Sequence, residues 1–454
     1  MFRTGNLIVI TLAAVFVLSA GCVEQKKESQ WHGLPAREDT ARMAVPLDQS
    51  RASSQSGKPR RIKIEREYLL NRITAGCDWL TDVSQIMDKK DPSYGAIRGE
   101  YDTKTRKWAF YGPFWHTGQA VRTLLLAYQV TGNEKYLNHA ILGGEYLIRF
   151  QVVDKNDKKL YGYIHGKTQE DSSTASQLEG FMALHDLYKV TKDPKWLERF
   201  HLAVDWVAKN VYQNGQGLFY DGYSATKDLK APIERSRPHT DDAVFLVAYK
   251  EFKDPLYLQI FREVSDRLLK DEDPPGNWVI YKPCNPDAFE GRGDIHPRHA
   301  WWWGYPMLTA YDAFGDKKYL DAAVRAAQWY IDNNNLDGGY YYHMTKSGGK
   351  HLSFDFCTSA VGCAVIMWVD LWKRTGDEKY VKEIETSLGF LLRAQFNRDV
   401  QDQNIRGAFF EGYLPPDGTL CPGFYIRDIA TIFSVRAMIE TLETFKQDIY
   451  YVEY

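Results

Sequence analysis

The sequence has few cysteines, no excess of basic charge and none of the common nucleotide-binding signatures. Lys plus Arg total 57 and Asp plus Glu total 59, so the net charge of −2 argues against a nucleic-acid partner. A P-loop, a Gly-x-Ser-x-Gly motif and a dinucleotide-binding fingerprint in a fitting context are all missing. There are 6 cysteines and no Cys-x-x-Cys pair, and we expect most of the cysteines to be buried as small hydrophobic side chains.

The first apolar run is also short. Leu7–Ala20 has 14 residues, too few for a comfortable membrane span, and follows a charged flank at Arg3. Small residues lead from this run into Cys22, which is typical of a secretory signal and resembles the lipobox of bacterial lipoproteins, although Ser19 stands where an aliphatic residue is usual. We therefore expect a signal peptide over 1–21, a lipid anchor at Cys22, a polar tether over 22–62 and a catalytic domain over 63–454, in an outer-membrane or periplasmic lipoprotein.

Aromatic residues are abundant. They make up 14% of the chain, as 29 Tyr, 22 Phe and 13 Trp. Many must pack in a core, but Tyr and Trp in excess also suit flat ligands that pair an apolar face with polar edges, such as sugar rings.

An internal repeat is the most informative feature. A turn signal followed by an aromatic–aliphatic pair recurs five times, with its aromatic residue at Tyr136, Trp196, Tyr257, Tyr319 and Tyr380, spaced 60, 61, 62 and 61 residues apart. A helix-like apolar run precedes each copy and an amphipathic run follows it, so each copy predicts the turn of a helical hairpin. The second helix is followed by a short aromatic, Gly-containing run, as in 217–223, which predicts an extended segment at the rim.

Helices near Glu65–Met87 and Arg427–Phe445 supply a sixth pair that would bring the ends of the domain together. Six hairpins of about 60 residues predict an all-α (α/α)6 toroid with short β segments, since open solenoids use shorter repeats. The hairpin resembles the six-hairpin glycosidase superfamily, and is nearest to the unsaturated glucuronyl and rhamnogalacturonyl hydrolases. This resemblance concerns architecture, so the reaction has to be argued from the residues at the rim.

The segments before the inner helices are rich in polar and aromatic side chains, which we interpret as candidate site residues. The polar ones among them could instead serve as helix caps. The sharpest candidate is His239-Thr-Asp241-Asp242 ahead of an apolar helix. Two adjacent carboxylates separate their pKa values, which would leave one of them a general acid. In unsaturated uronyl hydrolases an Asp at such a position protonates the substrate double bond, so the resemblance implies catalytic roles for Asp241, Asp242 and His239.

The segment Arg298-x-x-Trp301-Trp302-Trp303 resembles the Trp-x-Arg-Gly-Asn-Gly-Trp stretch of those hydrolases, without its Gly-Asn-Gly. Three consecutive tryptophans cannot face one way on a helix, so we expect one or two in the core and one against a sugar ring. The candidate substrate-binding residues are Arg237, Arg298, Trp301, Trp302, Trp115, His116, Glu170, Asp171, Asp355, Tyr425 and Arg427. His296 and His299 have no third ligand at a fitting spacing, so we expect no metal and no cofactor.

These features predict a glycoside hydrolase acting on uronate-containing oligosaccharides or polysaccharides, for example an unsaturated uronyl hydrolase. A polysaccharide lyase or a sugar epimerase on the same scaffold is the first alternative. A carbohydrate-binding lipoprotein without catalytic activity is the second.

Overall fold

Two kinds of helix alternate along the chain and differ in how much of their surface is buried. In Asp428–Phe445 every residue from Asp428 to Ile439 is buried. Lys317–Asn333 instead buries one stripe that includes Tyr319, Ala323 and Ala326. A helix buried on all sides needs neighbours all around it, whereas a helix with one apolar stripe covers a core from outside. The alternation therefore gives an inner and an outer layer.

The computed structural model describes residues 59–110, 112–165, 171–220, 222–224, 229–230, 237–238, 243–281, 294–335, 337–340, 344–345, 356–396, 400–411 and 425–454. In chain order the helices are α1 (Arg66–Asp78), α2 (Pro113–Thr131), α3 (Glu134–Arg149), α4 (Thr174–Thr191), α5 (Pro194–Asn210), α6 (Val244–Phe252), α7 (Pro255–Asp271), α8 (His299–Gly304), α9 (Pro306–Phe314), α10 (Lys317–Asn333), α11 (Thr358–Thr375), α12 (Glu378–Ala394) and α13 (Asp428–Phe445). The inner layer consists of α2, α4, α6, α8 with α9, α11 and α13. Pro306, which has no N–H to donate, marks the break between α8 and α9.

Short strands lie between the helices. They are β1 (Arg60–Lys63), β2 (Gly99–Asp102), β3 (Lys107–Phe110), β4 (Asp171–Ser173), β5 (Tyr212–Gln213), β6 (Leu218–Phe219), β7 (Gly222–Ser224), β8 (Leu229–Lys230), β9 (Asp294–Ile295), β10 (Met344–Thr345), β11 (Tyr425–Arg427) and β12 (Tyr450–Glu453). All pairings are antiparallel and form the sheets β1-β12, β9-β10, β11-β2-β3, β4-β7-β8 and β5-β6.

The predicted turns of the hairpins share one hydrogen-bond pattern. The residue before each outer helix from α3 onward accepts a hydrogen bond on its side-chain oxygen from the N–H two residues later; these residues are Asn133, Asp193, Asp254, Asp316 and Asp377. Such a cap stabilises a helix by about 1 kcal/mol. The repeated aromatic residues, Tyr136, Trp196, Tyr257, Tyr319 and Tyr380, are all buried three positions beyond the cap.

Six glycines show that the ring has six units and closes. Each has a positive φ, precedes an inner helix and lies against a backbone carbonyl of the following outer helix; the set is Gly95, Gly162, Gly217, Gly276, Gly338 and Gly407. A β-carbon on Gly407 would lie 2.3 Å from the carbonyl oxygen of Ala75 in α1, so the last unit packs on the first. Only glycine combines this φ with so close an approach.

The ends of the ring also meet as strands. Arg60 of β1 is paired with Glu453 of β12, and their side chains form an ion pair of 2.6 Å. Strand β1 thus begins slightly ahead of residue 63, where the catalytic domain is predicted to start. The prediction of an (α/α)6 toroid is confirmed.

Three cysteines lie in the part of the chain that the structure describes, and all three are buried free thiols: Cys77, Cys357 and Cys363. This agrees with the prediction that most cysteines serve as small hydrophobic side chains. Among the described residues, no helix combines the length and apolarity needed to span a membrane.

Candidate active site

The inner helices all begin at the same end of the ring, which we call the mouth. Successive inner helices pack in the order α13, α2, α4 and α6, and α8 packs on α11, which packs on α13. Two of these contacts are very close, because Gly118 of α2 meets Gly180 of α4 and Gly362 of α11 meets the backbone of Phe433 in α13. This packing holds the first turns of the inner helices at fixed positions around the mouth.

The neighbours of α2 determine which of its side chains face the ring axis. Thr117 and Val121 lie against Gly143 of the outer helix α3. At about 100° per residue, Trp115 and Gln119 fall on the opposite side of α2, toward the axis. Gln119 is buried, and neither atom of its side-chain amide has a hydrogen-bond partner among the described residues.

Two tryptophans from opposite sides of the ring meet across the mouth. Trp302 belongs to α8, three inner helices away from α2, and its ring lies edge-on to that of Trp115 with centroids 6.2 Å apart. Within the described part of the chain, neither indole N–H has a hydrogen-bond partner. Buried donors are nearly always paired, so these groups fit a ligand that accepts hydrogen bonds.

The other two tryptophans of the predicted triplet point into the core. Trp301 stacks on Tyr305 at 5.6 Å and meets Phe433 edge-on. Trp303 packs edge-on against Trp278 and Tyr281. Because successive residues of a helix are turned by about 100°, only the middle tryptophan faces the mouth.

A buried histidine and aspartate join the first turns of α2 and α13. Nδ1 of His116 lies 2.5 Å from Oδ1 of Asp428, and their side chains are 1% and 0% exposed. The same carboxylate oxygen accepts a hydrogen bond of 2.8 Å from the N–H of Ile429. A buried carboxylate is costly unless it is paired, and here a histidine and the start of a helix share its charge.

Arg298 lies in a second polar network. Its Nη1 donates to Oγ of Ser359 at 2.9 Å and to Oε1 of Glu411 at 3.2 Å. Glu411 also accepts hydrogen bonds from Oγ of Ser359 at 2.7 Å and from its N–H at 2.9 Å. Nη2 lies 3.3 Å from Nε2 of His296. The arginine predicted to bind a substrate carboxylate thus already contacts an internal carboxylate.

A neutral histidine lies beside Arg298. Nδ1 of His299 donates to the carbonyl of Trp278 at 2.8 Å, which leaves Nε2 as the acceptor nitrogen. Burial lowers the pKa of His299 to about 3; the Trp278 carbonyl raises it, while Arg237 and Arg298 lower it further. The ring is therefore uncharged at neutral pH.

Arg427 and Glu100 complete the described part of the mouth. Nε of Arg427 on β11 lies 3.5 Å from Oε2 of Glu100 on β2, with side chains 12% and 19% exposed. Burial raises the pKa of Glu100; Arg427 opposes this shift, and the negative charges of Asp428 and Glu411 add to it. Glu100 is therefore a carboxyl group with an increased tendency to hold a proton.

The structure brings Trp115, His116, Arg298, Trp302 and Arg427 to the mouth. Arg237 pairs through its backbone with Phe219, and its charge reaches His299. Trp301 points into the core beside them. The predicted catalytic residues Asp241, Asp242 and His239 lie outside the described residues, as do Glu170, Asp355 and Cys22. Asp171 and Tyr425 lie on β4 and β11, and their side chains are outside the description.

Four residues at the mouth were not among the predicted site residues: Glu100, Ser359, Glu411 and Asp428. Asp428 and Glu411 could have been found, since the first begins the closing inner helix and the second lies in an aromatic rim segment. Glu100 lies on the short strand β2, outside the repeated phrase, so nothing in the pattern indicated it. The described residues contain no group of three His, Cys, Asp or Glu side chains suited to a metal ion.

No family model matches the sequence, and neither does any curated protein sequence. Solved structures of similar fold include an unsaturated glucuronyl hydrolase specific for heparin, with 14% identity, a TM-score of 0.61 and coverage of 84% of this chain and 99% of that one. Cellobiose 2-epimerase from Bacillus thermoamylovorans B4167 has 12% identity, a TM-score of 0.63 and coverage of 83% and 99%. A D-mannose isomerase has 14% identity, a TM-score of 0.59 and coverage of 83% and 98%. At these identities the likeness shows the fold that this chain shares with such enzymes.

Proposed function

We propose that the protein is a carbohydrate-active enzyme, a glycoside hydrolase acting on uronate-containing saccharides at the mouth of the ring. The observation that carries the proposal is the pair of indoles from Trp115 and Trp302, whose N–H groups have no partner among the described residues. A sugar ring offers apolar C–H faces to an indole and hydroxyl groups to its N–H. The amide of Gln119, one turn deeper, adds a donor and an acceptor for hydroxyl groups.

Glycoside hydrolysis uses two carboxyl groups in different protonation states. In the described part of the mouth, Glu100 is a carboxyl group with a raised pKa, chiefly because it is buried. Asp241 and Asp242 stay the proposed general acid, with His239 beside them. They directly precede Ala243, the residue before the inner helix α6, just as Arg298 directly precedes α8 and Arg427 directly precedes α13.

Arg427 is the proposed ligand of the substrate carboxylate. Its contact with Glu100 is 3.5 Å long, and protonation of Glu100 would remove the competing negative charge. Arg298 has a different role in this proposal: it is held by Glu411 and Ser359 and presents Trp302, over whose ring its guanidinium lies at 5.3 Å. A guanidinium can bind a carboxylate with two parallel hydrogen bonds, which suits Arg427 to this task.

A sugar epimerase or isomerase is the second candidate, and one observation favours it. His116 and His299 both lie at the mouth, and His299 is neutral. An epimerase removes a proton from one face of a sugar carbon and returns a proton to the other face. This reaction requires two side chains that can transfer protons. Two of the solved structures of similar fold are named as an epimerase and an isomerase.

A panel of defined saccharides tests the proposal. Saturated and unsaturated uronate oligosaccharides, neutral disaccharides and free hexoses are incubated with the enzyme, and products are identified by mass spectrometry. Absorbance at about 235 nm separates two of the reactions, because a lyase creates the unsaturated uronate and an unsaturated uronyl hydrolase consumes it. Cleavage with addition of water supports a hydrolase, and an isomeric product of unchanged mass supports the second candidate. Binding without turnover would leave a carbohydrate-binding protein and refute both.

The proposed location is the outer membrane or the periplasm, with Cys22 as the lipid-modified residue. The support for it is the sequence Leu18-Ser-Ala-Gly-Cys22 after an apolar run.

A further inference from the structure

We propose that His116 is a catalytic base at the mouth and that Asp428 is its positioning residue, an inference that rests on the proposed hydrolase function. Neither the repeat nor the resemblance to known hydrolases indicated this pair.

The geometry of the pair fits a histidine that transfers protons. A carboxylate can only accept, so Nδ1 of His116 carries the proton in the 2.5 Å contact with Asp428. This fixes the tautomer in which Nε2 is the basic nitrogen. Asp428 is the first residue of α13, a helix buried on all sides, and it accepts a hydrogen bond from the N–H of Ile429. The position of its carboxylate is therefore fixed, and this fixes the orientation of the imidazole.

The basic edge of the imidazole lies at the mouth end of α2. A β-carbon on Gly112, the half-buried residue that precedes the helix, would lie 2.9 Å from Cδ2 and 3.2 Å from Nε2 of His116. Gly112 also has a φ of 55°. Gly112 therefore packs closely against this edge of the ring, and a larger residue at position 112 would collide with it.

The neighbours of His116 place it beside the proposed sugar site. Its ring is 4.9 Å from that of Trp115, which in turn meets Trp302 across the mouth. A saccharide that hydrogen-bonds to these indoles would lie next to the imidazole.

In the proposed step, His116 activates the water molecule that attacks the sugar. Nε2 of His116 takes a proton from a water molecule while the water oxygen bonds to the anomeric carbon. The bond from that carbon to the leaving oxygen breaks, and this oxygen takes the proton of the general acid, proposed at Asp241 or Asp242. The carboxylate of Asp428 stabilises the imidazolium until its proton returns through solvent to the general acid.

A second buried histidine of the ring provides a matched control. Nε2 of His185 lies 2.9 Å from Oε1 of Glu251, and the residue is buried in the second half of α4, away from the mouth. His185 thus shares burial and a carboxylate partner with His116 but not its position.

The test measures kcat, KM and melting temperature of His116→Asn, Asp428→Asn and His185→Asn on the uronate oligosaccharides of the panel above. Asn at 116 keeps a donor for Asp428 and lacks Nε2, so the fold should survive while kcat falls ~10²- to 10⁴-fold. Asp428→Asn should lower kcat at least tenfold with little change in KM. Added imidazole should partly restore the rate of His116→Ala. His185→Asn should keep the wild-type kcat.

The outcomes are separable. If the wild-type enzyme cleaves a panel member and His116→Asn keeps more than a tenth of its kcat, the inference is wrong and the hydrolase proposal stands. An equal loss of kcat in His185→Asn, or losses that follow melting temperature, would assign the pair a structural role and overturn the inference. If the wild-type enzyme cleaves no saccharide, the hydrolase proposal fails and the inference falls with it.

Discussion

Replacing His299 by Asn should make the fold less sensitive to acid. The ring is fully buried, and its pKa is lowered from an ordinary 6.5 to about 3. Between these two values the unfolded chain binds a proton at this position and the folded chain does not. Stability therefore falls as the pH drops below about 6.5, and the loss stops only near the folded pKa.

The size of this effect follows from the two pKa values. At pH 5 an unfolded-state pKa of 6.5 and a folded-state pKa of about 3 give a loss of ~2 kcal/mol relative to neutral pH. A folded pKa one unit higher would change this value little, because at pH 5 the folded ring would still be mostly neutral. Asn at 299 can donate to the Trp278 carbonyl as Nδ1 does, so the variant removes the titrating group and keeps the hydrogen bond.

Thermal or urea unfolding of the two proteins at pH 7 and pH 5, followed by tryptophan fluorescence, measures the difference. The variant should lose ~2 kcal/mol less than the wild type between these pH values. His185→Asn is a control of opposite sign: burial lowers the pKa of His185, but hydrogen bonds with Asp186 and Glu251 outweigh it and raise the pKa. That variant should lose more stability in acid than the wild type. Equal pH dependence of wild type and His299→Asn would refute the reasoning.

Three further predictions concern the site and the anchor. Asp241→Asn or Asp242→Asn should lower kcat at least ~10²-fold with an unchanged melting temperature, whereas a capping role predicts ~1 kcal/mol of lost stability and near-normal turnover. Arg427→Gln should raise KM for uronate substrates with little effect on folding. Arg298→Gln should instead destabilise the fold by ~3–5 kcal/mol in urea titrations, because it leaves Glu411 buried without its cation. The reverse pattern would contradict the roles proposed for the two arginines. Cys22→Ser should move the protein from the membrane to the soluble fraction, and unchanged fractionation would argue against lipidation.

The sequence predicted the turns of the hairpins because their chemistry is local. A capping Asn or Asp and an aromatic residue three positions later recur at nearly constant spacing, as at Asp316 and Tyr319. The six glycines that join the units were harder to recognise, since loops of different length separate them and their positive φ is invisible in a sequence. Gly95 and Gly407 have the same role at opposite ends of the ring.

The site could be predicted only in part. Helical periodicity implied that the three tryptophans could not all face the same way. In the structure Trp302 faces the mouth, whereas Trp301 and Trp303 point into the core. The contact between His116 and Asp428 spans 312 residues and exists because the ring closes, so no local pattern reveals it. The neutralisation of Arg298 by Glu411 depends on a rim loop and a helix start meeting in space, which is equally a property of the tertiary fold.

The pairing of Arg60 with Glu453 has a consequence for how the connectivity of the chain could be changed. Adjacent strands lie about 4.8 Å apart, so a linker of a few residues could join β12 to β1. The chain could then be opened at a different hairpin turn, such as the exposed Gly132-Asn133, to give a circular permutant. Every contact between neighbouring hairpins would be kept, because the closing contact of Gly407 with α1 is of the same kind as the other five. The contacts between neighbouring hairpins therefore do not distinguish any one hairpin as the first.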